Sequence, residues 1–258
     1  MTIKTPNIHF GEVLGTASTD KRLEVLRAIH RAGSISEAAR ANGVSYKAAW
    51  QALETLSNLA GVPLVAKVVG GSGGGGAKLT PEGIRVLQAA DLLNKAREQA
   101  LNQIAEASQG SGLNLGGIAS FGFRTSMRNQ LPCVVTEIKK TRGSAQVSLS
   151  LADGQTLISR ITMESLELLS LEPKQPVLAL FKATAVTVAP TIVAAGAVNL
   201  LHGKVVRRGT GASGVEVSLQ LNPGQGLVGF ADAESPLKLR QNVMAAIEQN
   251  AIVIATTA

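Results

Sequence analysis

Apolar positions in the first 110 residues recur at helical spacing. Leu23, Leu26, Ala28 and Ile29 fall on one face of a first helix. Ser34 then stands before ISEAARANG, where it can cap a second helix. Glu37 sits three residues on, as in a capping box, and Gly43 ends the segment. Ser45 caps the run YKAAWQALETLSNLA, which closes at Gly61. Ala49, Leu53, Leu56 and Leu59/Ala60 form its apolar stripe, and Trp50 reads as a packing residue. Val65, Val68 and Val69 predict a short strand, Ala77-Lys78-Leu79 its return, and the glycine run 70–76 the turn between them. Thr80-Pro81-Glu82 carries a cap, an N1 proline and a first-turn acid, and opens a helix that continues to about Ala107. QGSGLNLGG, residues 109–117, has the composition of a linker.

Beyond residue 120 the period changes to two. Cys133–Ile138, Ala145–Leu151 and Leu157–Ile161 alternate as strands do, separated by turn signals such as Asp153-Gly154. This half also repeats. NQLPCVV (129–135) aligns with NLLHGKV (199–205), and QVSLSL (146–151) with EVSLQL (216–221), both at an offset of 70. GQTL (154–157) meets GQGL (224–227) at the same offset, and after a four-residue deletion AVTVA (185–189) meets AIVIA (251–255). Two copies of one small β-rich unit follow.

Composition narrows the chemistry. The chain of 258 residues carries a net charge of +7, which favours a polyanionic or small anionic partner. The excess is spread over both halves, so polyanion binding must come from shaped sites rather than a basic tail. Aromatics at 3% argue against stacking on single-stranded nucleic acid. One cysteine, Cys133, excludes a disulfide framework or zinc finger, and His9, His30 and His202 are too scattered for a metal set. No apolar signal core opens the chain, and Ile192–Leu201 is too short to span a membrane, so a cytoplasmic location is expected. The glycine run lacks the Gly-Lys-Ser/Thr ending of a phosphate loop and reads as a wing tip. Cys133 has no nearby histidine and reads as a small strand residue.

Helix, turn, helix and two-stranded wing form a winged helix-turn-helix pattern. The helix from Tyr46 would enter the major groove. Ser45, Tyr46, Lys47 and Gln51 near its start, with Lys67 and Lys78 on the wing, are the candidate DNA contacts. Gly33-Ser-Ile-Ser-Glu-Ala-Ala39, Val44-Ser-Tyr-Lys-Ala-Ala-Trp50, Leu64-Val65 and Leu79-Thr-Pro-Glu-Gly83 resemble the winged helices of LysR-type regulators. Thr125-Ser-Met-Arg-Asn-Gln-Leu131, Val135–Ile138, Ile161–Ser165 and Ala179–Ala183 resemble the Mop (molbindin) domain, an OB-like β-barrel that binds molybdate. A winged helix followed by two Mop repeats is similar to the molybdate-dependent transcriptional regulator (ModE) family.

The resemblance implies an α+β multidomain chain. Residues 1–108 would form a winged helix-turn-helix domain that dimerises through its long helix. Residues 109–120 would be the linker, and 121–190 and 191–258 tandem OB-like Mop repeats. It also implies a homodimer that binds a palindromic operator of molybdate-uptake genes on double-stranded DNA. Molybdate, or tungstate as the same kind of oxyanion, would sit in a pocket between subunits. A tetrahedral dianion needs cations and several short donors. Arg128 and Lys182 supply charge, Ser126, Thr162 and Ser165 hydroxyls, and the Ala183 amide and Thr184 further donors. In repeat two Arg128 becomes Val198, Ser126 becomes Gly196 and Lys182 becomes Glu248, so no equivalent site is expected there. No nucleophile–base pair or paired carboxylates stand at useful spacing, so the chain is not read as an enzyme. The alternative is a molybdate storage or buffering protein, from which the helix-turn-helix distinguishes it.

Overall fold

The computed structural model describes residues 20–68, 76–107, 125–193, 195–209, 214–222, 225–234 and 237–256. The linker, and all but the last residue of the glycine run, lie outside these. The chain divides into two compact units, taken in turn below.

The N-terminal unit contains α1 (Lys21–Ala32), α2 (Ile35–Ala41), α3 (Tyr46–Ala60), the wing strands β1 (Val65–Val68) and β2 (Gly76–Leu79), and α4 (Pro81–Ala107). Each start is capped as its sequence requires. Asp20 accepts from Arg22 N, Ser34 from Glu37 N, Ser45 from Ala48 N and Thr80 Oγ1 from Gly83 N. α1 and α3 end on Gly33 and Gly61 in the left-handed conformation. The apolar stripes meet in one core containing Leu23, Leu26, Ile29, Leu53, Leu56 and Leu64. Trp50 departs from expectation: it is 37% exposed, and its ring meets Tyr46 edge-on at 6.4 Å. Ala49 and Leu53 fill the buried stripe of α3, and this leaves Trp50 on the outer side.

β1 and β2 pair antiparallel from Val65↔Leu79 to Val68↔Gly76. α4 starts hard against this wing. A Cβ on Gly83 would lie 2.3 Å from the Leu64 carbonyl oxygen, which also accepts from Thr80 N at 3.0 Å. Gly83→Ala should therefore push α4 off the wing and cost about 1–3 kcal/mol, read as a lower unfolding midpoint. An unchanged midpoint would show that the contact yields freely.

Among the described residues the second unit holds ten strands: β3 (Asn129–Thr141), β4 (Ser144–Ser150), β5 (Thr156–Thr162), β6 (Pro176–Phe181), β7 (Val186–Ala189), β8 (Val198–Arg208), β9 (Val215–Asn222), β10 (Gln225–Ala231), β11 (Asn242–Glu248) and β12 (Val253–Thr256); the short helix α5 (Met163–Leu169), between β5 and β6, groups from Glu164 onward with the N-terminal unit. The strands form a five-stranded sheet, β12-β6-β3-β4-β5, and a closed barrel, β10-β7-β11-β8-β9. The repeat is visible in detail. A bulge falls between Val135 and Glu137 in β3, and another between Val205 and Arg207 in β8, at the same offset of 70. Each sheet, however, takes its last strand from the other repeat: β7 joins β10 and β11, and β12 joins β6.

Closure differs between the halves, and one residue explains how. In the barrel, β7 runs against β10 with Phe230↔Thr187 in parallel register. Gly229 permits this approach, since a Cβ there would lie 2.9 Å from the Val186 oxygen and 2.7 Å from its Cγ1. The counterpart of Gly229 is Ser159, which is fully buried. Its hydroxyl donates to the Ile252 carbonyl at 2.7 Å and bridges β5 to the chain entering β12. A side-chain bond stands there in place of a backbone ladder.

Two asparagines join the halves. Asn129, 2% exposed, donates from Nδ2 to Val228 O and accepts from Val228 N, both at 2.8 Å. Asn199, 5% exposed, grips Ile158 in the same way, accepting from N at 2.6 Å and donating to O at 2.9 Å. Each carboxamide replaces one residue of a strand partner, so both buried amides are satisfied.

Candidate DNA-binding face and oxyanion site

The N-terminal end of α3 presents a contiguous polar face. Ser45, Tyr46, Lys47, Trp50 and Gln51 are exposed, while Ala48, Ala49, Ala52 and Leu53 are buried beneath them. The Lys47 side chain is 81% exposed but its Nζ pairs with Glu164 Oε1 at 2.7 Å, and Ser45 N donates to Glu167 Oε2 at 2.8 Å, so two α5 carboxylates lie on this face. The Ser45 hydroxyl is already committed to capping α3 through Ala48 N at 3.2 Å, so its main service to the face is to fix where the helix begins. On the wing, Lys78 is exposed on β2, and Lys67 stands on β1 opposite Ala77. The wing is anchored to the turn after α1 by a bond from Ala77 N to Gly33 O at 2.8 Å.

The candidate oxyanion residues fall in two groups. β3 and β6 pair antiparallel with Asn129 opposite Phe181. One step further out stand Arg128 and Lys182, so two cations from different strands flank the same end of the sheet. Ser126 is exposed two residues before Arg128. Lys182 leads into a 3-10 turn, Ala183–Ala185, in which Ala183 is buried and Thr184 exposed. The first N–H groups of such a turn have no acceptor inside it and can face an anion.

Thr162 lies elsewhere. It ends β5 opposite Ser144, beside Thr141 at the far end of β3, and Ser165 follows on α5. A strand rises about 3.3 Å per residue, so the dozen residues from Asn129 to Thr141 place Thr162 far from the two cations in its own chain. One chain brings Arg128 and Lys182 together and holds Thr162 apart from them.

The guanidinium already has an anionic oxygen on it. Arg128 Nη1 forms an ion pair with Glu216 Oε2, on β9 of the other half, with the Arg128 side chain 52% exposed. Charge and geometry at this end of the sheet thus suit an oxygen anion. Repeat two keeps the frame and loses the charge. Glu248 leads into the equivalent 3-10 turn, Gln249–Ala251, Val198 occupies the arginine position, and Gly196 takes a left-handed φ of +75.

Sequence reasoning missed Asn129 and Glu216. The Asn129/Asn199 repeat was a usable signal for the first; nothing in the linear sequence joins Glu216 to Arg128. Cys133 is buried, and desolvation pushes its thiol up to about 12, against the pull of a backbone hydrogen bond from Ala179. At neutral pH it stays a protonated, unreactive strand residue.

Comparison with known proteins agrees with this division. Residues 21–84 match the bacterial regulatory helix-turn-helix proteins of the lysR family, and residues 125–188 match the TOBE domain. The chain is 34% identical to the transcriptional regulator ModE of Yersinia pestis over 242 residues, covering 92% of each protein. It is 35% identical to the DNA-binding transcriptional dual regulator ModE of Escherichia coli K12, again over 92% of each. The molybdenum-pterin-binding protein MopA of Rhodobacter capsulatus is 38% identical over 207 residues, 78% of this chain and 76% of that one. With near-complete coverage by such relatives, a winged helix in the N-terminal unit and repeated β-sheets in the second, the chain belongs to the ModE family of molybdate-dependent transcriptional regulators.

Proposed function

We infer that this protein is a DNA-binding transcriptional regulator whose effector is molybdate, acting as a homodimer in the cytoplasm. The observation that carries the reading is the union, in one chain, of an exposed recognition-helix face with a β unit that sets Arg128 and Lys182 at adjoining strand ends. Among the described residues no helix is long and apolar enough to cross a membrane. Leu92 and Leu93 on α4 are 71% and 45% exposed, which supports pairing of this helix with a second copy.

In this reading Arg128, Lys182, Ser126 and the amides of Ala183 and Thr184 approach molybdate from one subunit. Thr162 and Ser165 approach it from the partner. The separation of Thr162 from the cations within one chain supports a shared pocket. Bound anion then favours one packing of the two β units, and the recognition helices adopt the half-site spacing of a palindromic operator. The test is a gel shift on a palindromic operator fragment with and without molybdate. Equal affinity in both conditions would remove the effector role.

Ser45, Tyr46, Lys47 and Gln51 on α3, with Lys67 and Lys78 on the wing, are the proposed DNA contacts. Lys47→Ala should weaken operator binding and lower the slope of log K against log salt by about one, as expected for one lost phosphate contact. Gln51→Ala should instead relax base preference. If both variants bind as wild type across a salt series, a different face of the winged helix meets DNA.

A further inference from the structure

We propose that Glu216 is an internal counter-ion of the oxyanion sensor: its carboxylate holds Arg128 in the empty state, and the incoming anion must displace it. The inference rests on Arg128 belonging to the molybdate site. Three observations carry it. The pair joins residues 88 positions apart, from β9 of one half to the residue before β3 of the other. The side chains are 52% and 32% exposed, so the carboxylate is reachable and can be exchanged. The repeat supplies an internal control: at the offset of 70, Arg128 corresponds to Val198 and Glu216 to Gln146. The equivalent pair, Val198 and Gln146, has neither the cation nor the carboxylate.

The chemistry is competitive. A guanidinium has five N–H donors, and the Nη1 edge that Glu216 takes can be taken by a tetrahedral oxyanion in the same way. While Glu216 is seated, Arg128 and Lys182 present a net charge of one to the pocket. When it leaves they present two, the match for a dianion. Glu216 thus raises the concentration at which the site fills. Filling the site also breaks a tie between the two halves of the β unit, which gives anion binding a mechanical consequence inside the chain.

The test is calorimetric titration of the full-length protein with sodium molybdate, in four forms: wild type, Glu216→Gln, Arg128→Ala and the double variant. Glutamine keeps the shape and removes the charge. Glu216→Gln should bind molybdate up to about fivefold more tightly, the equivalent of about 1 kcal/mol for an exposed ion pair. The same change on the Arg128→Ala background should add nothing. Unchanged or weaker binding in Glu216→Gln, with binding still lost in Arg128→Ala, overturns the counter-ion alone. An equal gain on both backgrounds also overturns it, because the effect is then general charge and not competition for Arg128. If Arg128→Ala binds like wild type, the site assignment fails and the counter-ion with it. If the wild-type protein binds no molybdate, the effector reading fails first.

Discussion

Arg128→Ala should lose molybdate affinity by well over tenfold while the protein still folds, dimerises and binds DNA weakly. Arg128 precedes β3 rather than lying in a core, and its side chain is half exposed in the single chain, so folding does not depend on it. In the proposed shared pocket, a partner chain and a dianion would enclose it. Removing one member of a buried, hydrogen-bonded charge pair costs on the order of 2–5 kcal/mol, and 1.4 kcal/mol is a factor of ten. Lysine at this position should rescue only in part, because an ammonium cannot present two parallel donors. Mixed dimers test the shared pocket. With Arg128→Ala in one chain and Ser165→Ala in the other, both losses fall on one pocket and the second stays intact, so half of the bound anion should be retained. Wild-type affinity in Arg128→Ala would remove the site assignment.

Cutting the chain after Ala251 should cost the β unit more stability than any surface substitution. The nearby C-terminal residues form β12, which pairs with β6 from Val253↔Leu180 to Thr256↔Val177. Ile252 and Ile254 are 2% and 6% exposed, and burying each is worth about 1.5–3 kcal/mol. The cut also strands the buried Ser159 hydroxyl, whose acceptor is Ile252 O. It uncovers β6 as an open edge ready to pair with another chain. A fall in melting temperature on the order of 10 °C is expected, with association of the truncated protein. The strand exchange extends the prediction. Residues 121–190 alone would carry β7 without its barrel and β6 without β12, so this segment should not fold as a monomer. Wild-type melting of the truncated chain would show that β12 is a passive appendage.

Much of the architecture was legible because it rests on local rules. Ser34, Ser45 and Thr80 cap the helices they precede, since a short side-chain oxygen there satisfies N–H groups that the helix leaves open. The period of two in Ala145–Leu151 buries Ala145, Val147, Leu149 and Leu151, since alternate residues of a strand face the same side. The offset of 70 carried over even to the matching bulges at Val135 and Val205. Trp50 was misjudged because size and hydrophobicity suggest burial, while its place on α3 put it outside the stripe.

The helices, the wing, the strands and the repeat were thus legible in the residue order alone, together with the cations Arg128 and Lys182 that the proposal assigns to an anion. Each follows from neighbours within a few residues or from identity at a fixed offset. Which sheet each final strand completes emerges from the tertiary fold alone. An apolar alternating segment such as AVTVA or AIVIA reports that it is buried, not whose ladder buries it. It alone decided that Ser159 bridges where Gly229 lets a strand in, that Asn129 and Asn199 clamp the halves, and that Glu216 meets Arg128. These contacts join residues some 40 to 100 positions apart, and their energies depend on distances of an ångström that no local pattern encodes.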